Sequence, residues 1–366
     1  MISLESNICF YLVVAAFYLY AFVSCLTLAR SNKTADNNQE GGRLTQGYTG
    51  LLKGILAINI ILCHFAARAD NLVLPYRMIG LLGGPSVAVF LCISGYAETY
   101  VMDHKGIQKY FDGFLLKKIF RIYFPWIISV GIIALMYGIN NADTIIQGLF
   151  TFRTIYRDGT YNWFVIIILY YYLGIWLYGL VAKKLKWKSR NNTFLIWIFV
   201  FSIVWFAVCY GANMDSHWYG NSFSMFFGCL IGQYYKELAN KLNNHKLRNL
   251  IVFAILSVMF VGMATVFRGI PKVVSRLTST LFICLLTLQL SQFISKGNKV
   301  LEFLGSMSLE MFYMGTGVFL WYYSRFPAEG WSVFPIFAMI IILSYLIKVL
   351  TDVTWKKALS PLLGRK

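Results

Sequence analysis

Eleven stretches of this chain are apolar for long enough to cross a lipid bilayer, and that constrains its fold more than anything else in it. They fall at about 8–29, 54–67, 79–101, 120–139, 163–182, 193–211, 220–235, 249–267, 274–294, 303–323 and 333–351. The second is short unless it begins at Leu51, and the short seventh is rich in glycine and aromatic residues. Composition agrees: 58% of the residues are hydrophobic and only 13% charged, against about 25% charged in a soluble domain. Backbone inside hydrocarbon must satisfy its own hydrogen bonds, so the predicted fold is all-α, a polytopic transmembrane helical bundle of about eleven spans. The first stretch has no basic residue before it and is longer than a signal-peptide core, so it is read as a retained helix. With the polar, glycine-containing segment 31–50 after it, the predicted division is 1–47, an N-terminal membrane helix and linker, and 48–366, the main membrane domain.

Charge sets the expected orientation. Lys and Arg number 33 against 15 Asp and Glu, a formal net charge of +18. Of those cations, 25 lie on one set of alternate loops, from Arg30, Lys33, Arg43 and Lys53 through the cluster Lys105–Arg121 to Lys356, Lys357, Arg365 and Lys366. The opposite loops hold Arg68, Arg77, Arg153, Arg157, Arg268, Lys272, Arg276 and Arg325. The positive-inside rule then places the amino terminus outside and the carboxyl terminus in the cytoplasm. It also accounts for the basic surplus without nucleic acid. The seven cysteines sit in or at the ends of apolar runs with no CxxC pair, which argues against a disulfide framework or zinc site and for small packing residues.

Four groups of residues are able to carry chemistry. Lys53 and His64 are eleven residues apart, so on a helix they share a face, with His64 about 16 Å further along. That spacing places the imidazole near mid-membrane, where an ionisable side chain is a functional candidate, as general base or as a packed histidine. Lys118 and Arg121 share a helix face at the expected cytoplasmic mouth, suited to phosphate or simply to topology. Gly83-Gly84-Pro85-Ser86 and Ser94-Gly95 allow close helix approach or a broken helix beside a cavity, with Ser94 able to bond a carbonyl or amide. Glu98, Glu310 and Asp352 are the acids in or near spans, and Glu310 is expected to pair with His64 or with a cation. His217 reads as a solvated loop residue.

Taken in order, these residues resemble acyltransferase family 3, membrane enzymes that pass acyl groups from acyl-CoA to envelope carbohydrates. The resemblance rests on Lys53-Gly54 through His64, on Phe90-Leu91-Cys92-Ile93-Ser94-Gly95-Tyr96 and on Lys118-Ile119-Phe120-Arg121 before Phe124-Pro125. It continues with Asn162-Trp163-Phe164-Val165, Phe226-Phe227-Gly228 and Leu304-Gly305-Ser306-Met307-Ser308-Leu309-Glu310, and covers roughly residues 48–355. Lysine stands at 53 and 118 where the family usually has arginine. Gly315 and the Tyr161-Asn162 pair stand where it often has histidine.

The resemblance implies a multi-pass protein of the inner membrane, with acetyl-CoA as donor substrate and no permanently bound cofactor. It implies that Lys118, Arg121 and Lys53 hold the donor's phosphates and that His64 takes the acceptor hydroxyl's proton or first accepts the acyl group. Ser94, Asn59 or an amide near Gly83-Gly84 would face the oxyanion. The expected partners are acyl-CoA, a carbohydrate acceptor and the lipid bilayer. A carrier of a sugar- or lipid-linked solute, or an inactive homologue, is the competing reading, because a deep histidine in a glycine-broken bundle also suits a transporter.

Overall fold

The computed structural model describes residues 4–34, 44–67, 78–156, 162–187, 192–326 and 330–359. Residues 35–43 of the linker and Tyr161 therefore lie outside the described residues. The longer helices are α1 (Leu4–Thr34), α2 (Gln46–Ala66), α3 (Gly83–Lys105), α4 (Phe114–Tyr137), α5 (Ala142–Thr151), α6 (Trp163–Lys184) and α7 (Thr193–Gly211). They continue as α8 (Ser224–Asn243), α9 (Lys246–Val266), α10 (Gly269–Ser291), α11 (Lys299–Ser306), α12 (Ser308–Arg325) and α13 (Val333–Thr354). The fold is an all-α polytopic bundle. Among the described residues nine helices are long and apolar enough to cross a membrane: α1, α2, α3, α4, α6, α7, α9, α10 and α13. The two remaining apolar stretches of the sequence correspond to α8 and to the pair α11 and α12. The first extends into the polar run Lys236–Asn243 with a kink at Tyr234, and the second is split at Met307.

Two contacts bring the central helices close, and glycine makes both possible. A Cβ on Gly95 of α3 would lie 2.2 Å from the Met225 carbonyl oxygen of α8, and one on Gly228 would lie 2.0 Å from that of Cys92. A Cβ on Gly54 of α2 would meet the Leu301 carbonyl oxygen at 2.0 Å, and one on Gly305 that of Gly50 at 2.1 Å. Small residues are what permit such backbone approach between membrane helices. The glycines beside Lys53 and Ser94 thus fix the positions of those two side chains.

Helix α2 begins earlier than hydropathy suggests. Thr45, in extended conformation, accepts a hydrogen bond from the Tyr48 amide at 3.2 Å and caps the helix. Tyr48 is buried and donates to the Thr287 carbonyl at 2.7 Å. An N-cap threonine and a buried tyrosine outweigh the polar composition around them. As a result Lys53 stands in the third turn, and His64 lies two residues from the far end of α2, about 27 Å along it.

The extra first helix docks on the bundle. Phe10 stacks on Phe65 with ring centroids 4.9 Å apart, and the Tyr18 hydroxyl donates to Asn59. Asn59 in turn donates to Ser86 at 2.9 Å, and Ser86 to the Leu82 carbonyl at 2.8 Å. Asn59 therefore ties α1, α2 and α3 together and is committed to packing.

Candidate active site

A cavity of about 720 Å³ opens among α2, α3, α4, α6, α11, α12 and α13, a size suited to a bound small molecule. It contains five of the six site residues expected from the sequence: Lys53, Ser94, Lys118, Arg121 and Glu310. It lies at the basic end of the bundle, where Lys348 and Asp352 of α13 join its wall. The opposite end of the cavity is apolar, formed by Ala57, Ile60, Val87, Phe90, Phe164 and Phe312. The Phe164 ring packs 6.3 Å from Phe90 and 5.0 Å from Phe312.

The charges inside are organised around Glu98, which is buried. A carboxylate there needs partners, and it has two: the Tyr110 hydroxyl and the Lys118 ammonium. Lys118 also lies 4.6 Å from the centroid of Tyr172 and 5.4 Å from that of Phe114. A compact ammonium fits between a carboxylate and two ring faces. Lys53 feels the charges of both Lys118 and Glu98. Arg121, one turn beyond Lys118, is exposed at the cavity wall. Pro125 four residues on supplies no N–H for the Arg121 carbonyl.

Ser94 donates to its own helix at the Phe90 carbonyl, 2.9 Å away, and hydrogen-bonds Tyr172. Glu310 is buried in the first turn of α12, directly after the break at Met307. Its charged neighbours are Lys348 and Asp352, which pair with each other at 2.8 Å. Among the described residues no ion pair includes Glu310 itself. At Gly315 a Cβ would lie 3.6 Å from Ile61 of α2.

His64 is half-buried and continues the row Lys53–Ala57–Ile60 on α2, one turn past the last of these to line the cavity. Its neighbour Cys63 donates to the Gly80 carbonyl at 3.0 Å. Gly80 belongs to a second pocket of about 200 Å³ at the opposite end of the bundle, lined also by Gly84, Pro85, Trp163, His217, Asn221 and Arg276. The two spaces are close. Pro85 lines the second and Val87 the first, two residues apart on α3. Trp163 lines the second and Phe164 the first, with ring centroids 6.4 Å apart. His64 lines neither space; its neighbour Cys63, bonded to Gly80, puts it beside the near wall of the second.

The sequence marks Lys348 only as one of the basic-loop cations, gives Glu98 no partner and does not single out Tyr172. A carboxylate in an apolar helix signals a partner somewhere, but the 20 residues from Glu98 to Lys118 carry no periodicity that would reveal it.

In comparisons with known proteins, no curated protein and no solved structure matched. A family model described as an acyltransferase domain matches residues 47–352, a range that holds α2 to α13 nearly whole and every residue around the large cavity except Gln46. The chain belongs to acyltransferase family 3.

Proposed function

We propose that this membrane acyltransferase moves an acetyl group from acetyl-CoA to a hydroxyl of an envelope or exported carbohydrate, as a multi-pass protein of the inner membrane. The observation that carries this reading is the cavity itself: a space of about 720 Å³ with Lys53, Lys118, Arg121 and Lys348 at one end and an aromatic wall at the other, in line with His64. In this reading the basic end faces the cytoplasm, as the lopsided loop charges favour.

Arg121 and Lys53 take the donor's phosphates. Arg121 is the stronger of the two, because an exposed guanidinium can chelate phosphate through two parallel bonds. Lys118 contributes field and geometry through its pair with Glu98. The pantetheine arm runs along the Ala57–Ile60 row toward His64. The His64 imidazole takes the proton of the acceptor hydroxyl, and the freed oxygen attacks the thioester carbonyl. The tetrahedral adduct then collapses, the C–S bond breaks, and the coenzyme A thiolate leaves with the proton held on the imidazole. In the covalent variant the imidazole attacks the thioester first, the C–S bond breaks and coenzyme A leaves as the thiolate; the acceptor oxygen then displaces the imidazole from the acyl group, and its proton passes to the released ring. Turning the Ser94 hydroxyl away from the Phe90 carbonyl would supply a donor to the oxyanion.

Steady-state kinetics of Arg121→Ala test the donor site. KM for acetyl-CoA is expected to rise about tenfold or more, as for loss of a charged hydrogen bond, with a smaller change in kcat. Arg121→Lys should recover part of the loss. An unchanged KM would remove Arg121 from the donor site.

A further inference from the structure

The pocket at the far end of the bundle has chemistry of its own. Arg276, in the third turn of α10, is half-buried in its wall, and none of the ion pairs among the described residues includes it. Gly220 packs beside it: a Cβ there would lie 2.7 Å from the Ser216 carbonyl oxygen and 3.1 Å from the Arg276 side chain. Facing it are the Trp163 ring and the His217 imidazole, whose centroids are 5.4 Å apart. Asn221 donates to the Gly84 carbonyl at 3.2 Å, which leaves its side-chain carbonyl able to accept. The hydroxyls of Ser279 and Thr280 donate to the Arg276 carbonyl at 2.7 and 3.0 Å, and keep lone pairs toward the same space. His217 is exposed, as expected of a solvated residue, and stands at the pocket's rim.

A guanidinium, two aromatic surfaces and several acceptors for hydroxyl protons suit one ligand class. The guanidinium matches a carboxylate or phosphate, a ring face covers the apolar side of a sugar, and the acceptors meet its hydroxyls. The pocket adjoins the large cavity across the Trp163–Phe164 pair.

We infer that this pocket is the acceptor subsite and that it selects an acidic saccharide, with Arg276 reading the anionic group and Trp163 the ring. The inference rests on the acyl-transfer reading for the word acceptor, but binding of the sugar needs no donor. The test uses the full-length protein in neutral detergent, titrated with a glucuronate-containing disaccharide and with its neutral glucose counterpart, followed by tryptophan fluorescence. The acidic sugar is expected to bind roughly tenfold or more tightly than the neutral one. Arg276→Gln should erase that preference, and Arg276→Lys should restore part of it.

Equal binding of the two sugars, or a preference that survives Arg276→Gln, would overturn the proposal. So would displacement of the sugar by inorganic phosphate at equal concentration, which would mark a plain anion site, or by phosphatidylglycerol, which would mark a lipid site. Acetyl-CoA binding is titrated separately on the wild type. Its absence alongside retained sugar selectivity would defeat the acyl-transfer reading and leave the saccharide site standing.

Discussion

His64→Ala is expected to lower acyl transfer by about 10²–10⁴-fold, the usual contribution of a positioned general acid–base, while acetyl-CoA still binds. The expectation follows from where α2 places the ring. Lys53, Ala57 and Ile60 line the large cavity, His64 is the next residue of that row, and the second pocket begins at Gly80 beside Cys63. On the proposed reading the ligands of the two spaces meet there. His64→Gln preserves hydrogen bonding but cannot hold the extra proton, and should fail to nearly the same extent. Rates measured with labelled acetyl-CoA, alongside a binding titration of the same preparations, separate loss of chemistry from loss of donor. Transfer within a few-fold of wild type would take His64 out of the reaction.

The second large effect concerns stability. Lys118→Met should destabilise the protein by about 3 kcal/mol or more, because it leaves the carboxylate of Glu98 buried without its cation. The Tyr110 hydroxyl remains but does not neutralise a charge. Replacing both partners, Lys118→Met with Glu98→Gln, should recover most of the loss, since a neutral amide can still accept from Tyr110. Thermal melting of wild type and the two variants in detergent distinguishes the cases. If Lys118→Met melts with the wild type, the pair contributes nothing to the fold and Lys118 is free to serve the ligand alone. Donor binding then gives a second readout, because the double variant restores stability without restoring the positive charge.

Much of the large cavity is legible in short sequence motifs. Lys53-Gly54, Ser94-Gly95, Lys118 with Arg121, and Glu310 each converge on it. In two of those motifs the glycine has a physical reason, since Gly54 and Gly95 admit a neighbouring backbone. Other features lie beyond local pattern. The start of α2 at Gln46 depends on a cap and on one buried tyrosine bonded to α10, neither of which shows in hydropathy. The break at Met307 is not marked by proline. It splits one apolar stretch so that α11 packs on α2 while α12 presents Glu310 to the cavity. The docking of α1 through Tyr18 and Asn59, 41 residues apart, has no signature in spacing at all. The pocket around Arg276 is hidden for a related reason: a loop histidine and a cation near a helix end read as solvent and topology until the fold sets Trp163 against them.

A donor cavity at the basic end is tested most directly in membrane vesicles of the two orientations supplied with labelled acetyl-CoA, which does not cross the bilayer unaided. On the proposed orientation inside-out vesicles expose the basic end of the bundle, and there free coenzyme A is expected to appear together with label in carbohydrate. Right-side-out vesicles should yield neither. Equal transfer from both orientations, or label in carbohydrate only from right-side-out vesicles, would contradict a donor cavity at the basic end and a reaction at the level of His64.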